Sequence, residues 1–323
     1  MTGAFVTQPS TPRHLFSLGN VIVDVTVAVP CLPERGGDVI GRSHGAMPGG
    51  SFNTMVAARR QGLATSYAGA HGDGPYAELA RRALAESGIQ LLHAPTVGID
   101  TGFDIALTEP DGERSFITVF GAEAAITAES LKTVRPAARD FVHVSGYGLL
   151  ANTNGRVISD WLDSLAPGPV VLLDPGTLVG DIPSSILQSV MARTDWLSCN
   201  AREAQELTGI ADATSAAHAL LARVPGVILR LGQNGCLLVR DSTAADGAIV
   251  THVPAIDLAV MGLSVVDLNG AGDAHVGGFL AALARGESPE RAAQFGNVTA
   301  AIAVTSRGPA SSPTLAQVEA FLG

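Results

Sequence analysis

Asp267-Leu268-Asn269-Gly270-Ala271-Gly272-Asp273, continued by Ala274-His275-Val276-Gly277-Gly278-Phe279-Leu280, decides how this chain reads. An apolar run, Leu263 to Val266, leads in, and a helix-like apolar segment, Phe279 to Ala284, follows. Between them, three small residues let the backbone close tightly around an anion, with the N–H groups of Gly270, Ala271 and Gly272 turned inward. The start of a helix adds the positive end of its dipole. That makes a seat for a phosphate. A carboxylate at Asp273, beside the seat, can take the proton of a hydroxyl that attacks the phosphate. The plainer alternative is a glycine turn with Asp273 as a helix N-cap, so the rest of the chain has to decide.

The chain has 323 residues, enough for one large α/β domain or two modest ones. A hydrophobic content of 46% and a mean hydropathy of +0.29 argue for a large buried core. Aromatic residues are only 5%, so Ala, Val, Leu and Gly must build that core, which suits helices packed closely on a sheet. The net charge of −10 argues against nucleic-acid or anionic-membrane partners. Cys31, Cys199 and Cys236 are far apart, odd in number and without metal spacing. They read as reduced thiols of a cytoplasmic protein. Residues 1–14 are rich in Thr, Pro, Ser and Gln, lack the apolar core of a signal peptide, and read as a flexible leader. No run approaches the roughly 20 apolar residues that span a bilayer.

Strand and helix alternate along the remainder. Leu15 to Val29 reads as one strand with polar interruptions at Gly19-Asn20 and Asp24, and Asp38 to His44 as a short polar strand. Helices are expected over Gly49 to Gly62, Pro75 to Ser87, Gly155 to Leu165, Ser184 to Ala192, Ala201 to Thr208 and Ser215 to Ala222. Strands are expected over Thr65 to Ala70, Phe141 to Ser145, Val170 to Asp174, Trp196 to Cys199 and Val227 to Leu231. Short apolar strands without alternation belong to a parallel sheet covered on both faces. Gly102 to Thr108 and Ser115 to Val119 flank Glu109-Pro110-Asp111-Gly112, and Asp-Gly between alternating runs signals a hairpin. The expected fold is thus one doubly wound α/β body over 15–323, with helices on both faces of a mainly parallel sheet. Polar strands over about 23–44 and 102–119 form a small β lid. A ligand would lie between body and lid, at the carboxyl ends of the parallel strands.

Other polar residues stand at junctions in this pattern. Asp24 interrupts a valine-rich strand, where an unpaired carboxylate is costly to bury, and a bidentate acceptor for neighbouring hydroxyls would justify it. Pro48-Gly49-Gly50-Ser51-Phe52-Asn53 precedes a helix and by itself reads as a glycine turn with Ser51 or Asn53 as N-cap. Asn200-Ala201-Arg202-Glu203 follows a strand and fits a capping box. Arg230-Leu231-Gly232-Gln233-Asn234-Gly235 turns at another strand end, where the glycines permit close backbone approach.

Taken together, these segments resemble the ribokinase-like (PfkB) carbohydrate kinases, whose C-terminal signature D-T-x-G-A-G-D matches Asp267 to Asp273 apart from Leu268, which stands where Thr is usual. The resemblance runs from about Leu18 to the C-terminus. It implies that Asp273 is the catalytic base and that Gly270, Ala271 and Gly272 form the anion hole. It implies that Asp24, Gly49, Gly50 and Asn53 hold the substrate. ATP as co-substrate would lie against Asn200, Arg230, Gly232, Gly235 and Asn297, with Mg²⁺ organised by Glu203 through water. In many relatives an Asp and loop carbonyls hold K⁺, and Asp267, Asn269, Ala303, Ser306, Gly308 and Ser312 occupy the matching positions. The implied activity is transfer of the γ-phosphate of ATP to a hydroxymethyl group of a small carbohydrate, in a homodimer joined through the lid. A nucleoside acceptor would want aromatic residues in the lid, for which Phe103 and Phe116 are the candidates. A phosphorylated sugar would want cations there, such as Arg42 and Arg114. A non-catalytic sugar or nucleotide sensor would have no use for the Gly-Ala-Gly-Asp set. A P-loop is absent from the sequence, as is an early dinucleotide-binding G-x-G-x-x-G.

Overall fold

The computed structural model describes residues 13–110, 113–241, 247–308 and 310–322. Its strands, in chain order, are β1 (His14–Ser17), β2 (Val21–Ala28), β3 (Arg42–Gly50), β4 (Ala64–Tyr67), β5 (Gln90–Leu91), β6 (Phe103–Thr108), β7 (Arg114–Val119), β8 (Phe141–Ser145), β9 (Val170–Asp174), β10 (Trp196–Asn200), β11 (Gly226–Arg230), β12 (Cys236–Asp241) and β13 (Ala248–Val253). Nine of them form one sheet in the order β13-β12-β11-β10-β9-β8-β1-β4-β5. It is parallel from β5 to β11, and β12 and β13 add an antiparallel edge.

Both faces of this sheet are buried. Val142, Val144, Val171, Leu173, Val227 and Leu229 pack under the helices Asn152–Ser164, Ser184–Ala192, Ala201–Thr208 and Ala213–Leu220. Their strand neighbours Phe141, Leu172 and Ile228 point the other way, to the helices Ala271–Arg285, Pro289–Ala303 and Leu315–Leu322. Consecutive apolar residues therefore serve two cores, which is why these strands read as unbroken apolar runs. The doubly wound expectation is met. Chain order reverses at β1, which lies between β4 and β8, and an open α/β sheet opens a crevice at such a point.

The expected lid is a separate four-stranded sheet, β3-β2-β6-β7, in which β2 and β6 run parallel and the outer pairs antiparallel. Its boundaries differ from the sequence reading. Leu15 to Val29 is two strands in two sheets, because the chain turns at Gly19-Asn20 over the start of helix Ser51–Arg60. A Cβ on Gly19 would lie 1.8 Å from Ser51 Oγ, and Ser51 N donates to Asn20 O at 2.8 Å. Residues 38–41 are not strand, and β3 instead runs on to Gly50. It is an exposed edge containing Pro48 and three glycines, so it shows no apolar alternation to read. The Asp111-Gly112 turn and residues 1–12 of the expected leader lie outside the described residues, while His14 already belongs to β1. Leu263 to Val266, the apolar run before the turn, is loop, with Val265 and Val266 about half exposed.

Candidate active site

The sequence-predicted residues converge at the carboxyl ends of the parallel strands, under the second sheet. Helix Ala271–Arg285 starts at Gly270, whose left-handed φ of 75° suits only glycine without strain. Asp273 is therefore inside the first turn and is not the N-cap. The first amides of that turn lack intrahelical acceptors, although Ala271 N reaches Leu268 O at 3.4 Å. Four residues further along the helix, Gly277 lets helix Ser51–Arg60 come close, since a Cβ there would lie 2.5 Å from Ala57 Cβ and from Thr54 O. This close approach brings Asp273 onto Asn53 and Thr54. Asp273 Oδ2 accepts from Asn53 Nδ2 and Oδ1 accepts from Thr54 Oγ1, each at 3.1 Å.

Burial, followed by the charge of Asp174, pushes the Asp273 carboxyl up to about 6, against the pull of Asn53, Thr54 and Arg230. A carboxylate tuned this way is ionised at neutral pH yet more basic than an exposed one. Helix Ser51–Arg60 itself is capped by Gly50, at φ 60°, and not by Ser51 or Asn53. A Cβ on Gly50 would strike Asn20 O, and one on Gly49 would strike the Asp24 carboxylate at 2.0 Å. The two glycines thus make room for the carbonyl and the carboxylate beside them.

Asp24 is buried on β2 with Asp104 as its register partner on β6, so both carboxylates lie on one face of the sheet. Asn269 Nδ2 approaches Asp24 Oδ2 at 3.5 Å. Asp104 is 8% exposed, and burial pushes its carboxyl up to about 6. Three buried acceptors in this region, Asn20 Oδ1, Asn53 Oδ1 and Asp104 Oδ1, have no hydrogen-bond partner. Each such group costs about 1–3 kcal/mol when left unmade. Together they call for a ligand that brings donors.

Strands β9, β10 and β11 end in Asp174, Asn200 and Arg230, which lie side by side. Arg230 donates to Asp174 at 2.7 Å, to Ser198 Oγ at 3.0 Å and to Glu203 at 3.4 Å. Burial opposes its charge, but Asp174 and Glu203 outweigh burial and hold the guanidinium above its usual range. Its Cζ would lie 3.3 Å from a Cβ on Gly272, directly beneath the turn. Asn200 and Glu203 form a reciprocal capping box, and Asn200 Nδ2 also donates to Glu203 Oε1 at 2.8 Å. Burial, then Asp174, raises the Glu203 carboxyl, while Arg230 opposes them. The oxygens of Asp174 and Glu203 suit a hard cation, and with the Glu203 oxygens already hydrogen-bonded, contact through water is what the donor set fits.

The remaining predicted residues lie around this centre. Gly232 and Gly235 have φ of 58° and 84° after β11. The Asn297 amide is buried and donates to Val253 O and Pro254 O, tying the end of β13 to helix Pro289–Ala303. Asp267 accepts from Asn269 N at 2.9 Å and Gly308 N at 3.2 Å, and Ala303 O takes the Ser311 hydroxyl. Ser306 is exposed, and the Ser312 hydroxyl is buried without a partner. Cys199 and Cys236 are buried, with thiols pushed up by burial, and Cys31 is exposed, so none sits in the site as a nucleophile. The sequence reading passed over Asp104, Thr54 and Asp174. A carboxylate inside an apolar alternation, the signal that picked out Asp24, was equally present in Phe103-Asp104-Ile105. Asp174 closes an apolar strand just before Pro175-Gly176.

The family model described as pfkB family carbohydrate kinase matches residues 12–315. An Escherichia coli (strain K12) protein called an uncharacterized sugar kinase, YegV, is 33% identical over 94% of this chain and 92% of its own length. An ATP-dependent ribose-1-phosphate kinase of Halopiger xanaduensis is 30% identical over 96% of this chain and 98% of its own. Among solved structures, a ribokinase of Thermotoga maritima superposes with a TM-score of 0.79 at 24% identity, covering 96% of this chain and 99% of that one.

Proposed function

The chain belongs to the pfkB family of carbohydrate kinases, and from that premise we propose that it transfers the γ-phosphate of ATP to a hydroxymethyl group of a small carbohydrate. The observation that carries this reading is the pairing of a tuned carboxylate, Asp273, with partnerless buried acceptors on Asn53 and Asp104. Sugar hydroxyls are donors that would satisfy those acceptors. With the substrate held by Asn53, Asp24 and Asp104 beside Gly49 and Gly50, the hydroxymethyl oxygen gives its proton to Asp273 and attacks the γ-phosphate in line, with ADP leaving. Charge that builds on the phosphate meets the amides of Gly270, Ala271 and Gly272, with Arg230 beneath them. ATP as donor is supported by the relative named as ATP-dependent. Its phosphates would run from the helix start toward Gly232, Gly235 and Asn200. Asn297 would act on the nucleotide side by anchoring the loop after β13.

Mg²⁺, when bound, would neutralise phosphate charge, with Asp174 and Glu203 holding its water shell. K⁺, if used, would be held by carbonyls of the 303–312 segment around Asp267, and the unsatisfied Ser312 hydroxyl fits such a role. Phe103 packs on Tyr76, with ring centroids 5.3 Å apart, and not beside Asp104, so of the two aromatic candidates for a nucleoside acceptor only Phe116, opposite Ala106, shares the Asp104 face. The second sheet would act as the lid. Its outward face carries Val25, Val27, Ile105, Leu107, Ile117 and Val119, with Ile117 and Val119 about half exposed. A four-stranded sheet with such a face is marginal by itself, and a second copy of the chain would cover it, giving a homodimer. Among the described residues no helix is long and apolar enough to cross a membrane, and cytoplasmic residence is the reading that the free cysteines support.

The test is ATP consumption across sugars, sugar phosphates, polyols and nucleosides, with the product's phosphorylation site read by NMR. Sugar-dependent consumption with phosphate on a hydroxymethyl oxygen is the expected result. Consumption stimulated only by nucleosides, or phosphate on a ring hydroxyl, would replace this reading.

A further inference from the structure

The cleft continues past Asn269. Between the inner face of the lid and the loops carrying Asp267 and Arg307 lies a cavity of about 340 Å³. Asn269 is in its wall and also reaches Asp24, so the cavity joins the substrate site. Thr26, likewise in the wall, lies two residues beyond Asp24 on β2, about 7 Å farther along the strand at the usual rise.

A β-bulge gives this cavity its charge. Thr26 pairs with Gly45 and Val27 with Ser43, which leaves His44 as the extra residue, and Gly45 takes φ 95°. Met47 and Arg42 are five residues apart and would face opposite ways on a regular strand. The bulge resets the alternation, and Met47, opposite Asp24, and Arg42, opposite Ala28, line the same cavity. His44 lines it too, with Nε2 3.5 Å from an Arg42 nitrogen. Arg307 enters from the other side. Asp267 is the carboxylate in the wall, and both of its oxygens accept backbone amides, from Asn269 and Gly308. A chain of net charge −10 thus sets two guanidinium groups and an imidazole around one cavity at the far end of its substrate site.

We propose that this cavity is an anion subsite, and that the substrate is a sugar bearing an anionic group, a phosphate monoester or a carboxylate, at the end opposite the hydroxymethyl group that is phosphorylated. This rests on the sugar-kinase reading above. With the hydroxymethyl at Asp273 and hydroxyls at Asn53 and Asp24, the far end of a five- or six-carbon chain arrives at Thr26. There the forks of Arg42 and Arg307 match an anion's oxygens.

The experiment compares matched sets, a sugar phosphate, the corresponding sugar acid and the neutral sugar, in the wild type and in Arg42→Ala, Arg307→Ala and the double variant. The wild type should favour one anionic member over the neutral sugar by at least about tenfold in kcat/KM, and each substitution should cut that preference by about tenfold, the scale of a charge-assisted hydrogen bond. Which anionic member is favoured separates phosphate from carboxylate. A wild type that favours neutral sugars, or a preference that survives the double substitution, overturns the subsite and leaves the kinase reading standing. If no member of any set is phosphorylated, the kinase reading fails, and calorimetry with the same anionic sugars in the absence of nucleotide decides the subsite. Binding that the double variant loses supports it; no binding, or binding that persists in the double variant, overturns it.

Discussion

The nine-stranded body and the four-stranded sheet proposed as its lid are built on opposite terms. In the body, neighbouring apolar residues of a strand feed two separate cores, so the apolar positions of β8 to β11 are held by packing. In the lid, one face carries Asp24, Thr26 and Asp104 toward the cleft, and the other leaves Ile117 and Val119 in solvent. Under the proposed function the body fixes where the chemistry happens, and the second sheet, with little packing to satisfy, is free to act as a lid that carries the residues choosing the substrate. Two kinds of mutation should therefore separate cleanly.

The largest stability effect belongs to the body. Phe279 is fully buried, with its ring edge-on to Trp196 at 5.3 Å. Phe279→Ala should cost about 3–5 kcal/mol, read by denaturant unfolding; a loss under 1 kcal/mol would mean the body is not the rigid half. Next comes substrate recognition in the lid. Asp24→Ala should raise the KM for sugar by about tenfold or more and shift nucleotide affinity little. Calorimetry showing the opposite pattern would move the sugar site elsewhere. The smallest folding effect is expected on the lid's outer face. Ile117→Asp should change protomer stability by under about 0.5 kcal/mol yet turn a dimer into a monomer in sedimentation. A monomeric wild type at micromolar concentration would refute the dimer.

Legibility in the sequence follows the same division. Phe141 to Ser145, Val170 to Asp174, Ser184 to Ala192 and Ala201 to Thr208 are found where the sequence reading expects them, because apolar runs and their capping residues report burial directly. The turn from body to lid at Gly19-Asn20 was not legible, since the constraint there is the close approach of Ser51, a residue far along the chain. Strand β3 was legible only in part, because an exposed edge of glycines has no pattern to show. Asp273, Asn53 and Asp24 could be singled out as polar residues at junctions. That Asn53 holds Asp273 with one end of its amide and leaves the other end partnerless depends on two helices meeting at Gly277, and no local spacing encodes that.

The pH dependence sharpens the account of the body's contribution. With the Asp273 carboxyl raised to about 6, the base is ionised above that value and protonated below it. The free enzyme's kcat/KM should be level above about pH 6 and fall tenfold per unit below it. A profile still flat at pH 5 would detach the limb from Asp273.

The most direct test of the central claim, that Asp273 takes the proton, is the turnover of Asp273→Asn. The substitution keeps the shape of the side chain at the helix start and removes its basicity. The account predicts a protein with unchanged unfolding behaviour and nucleotide binding whose kcat falls by about 100-fold or more. Turnover within a few-fold of the wild type would contradict it.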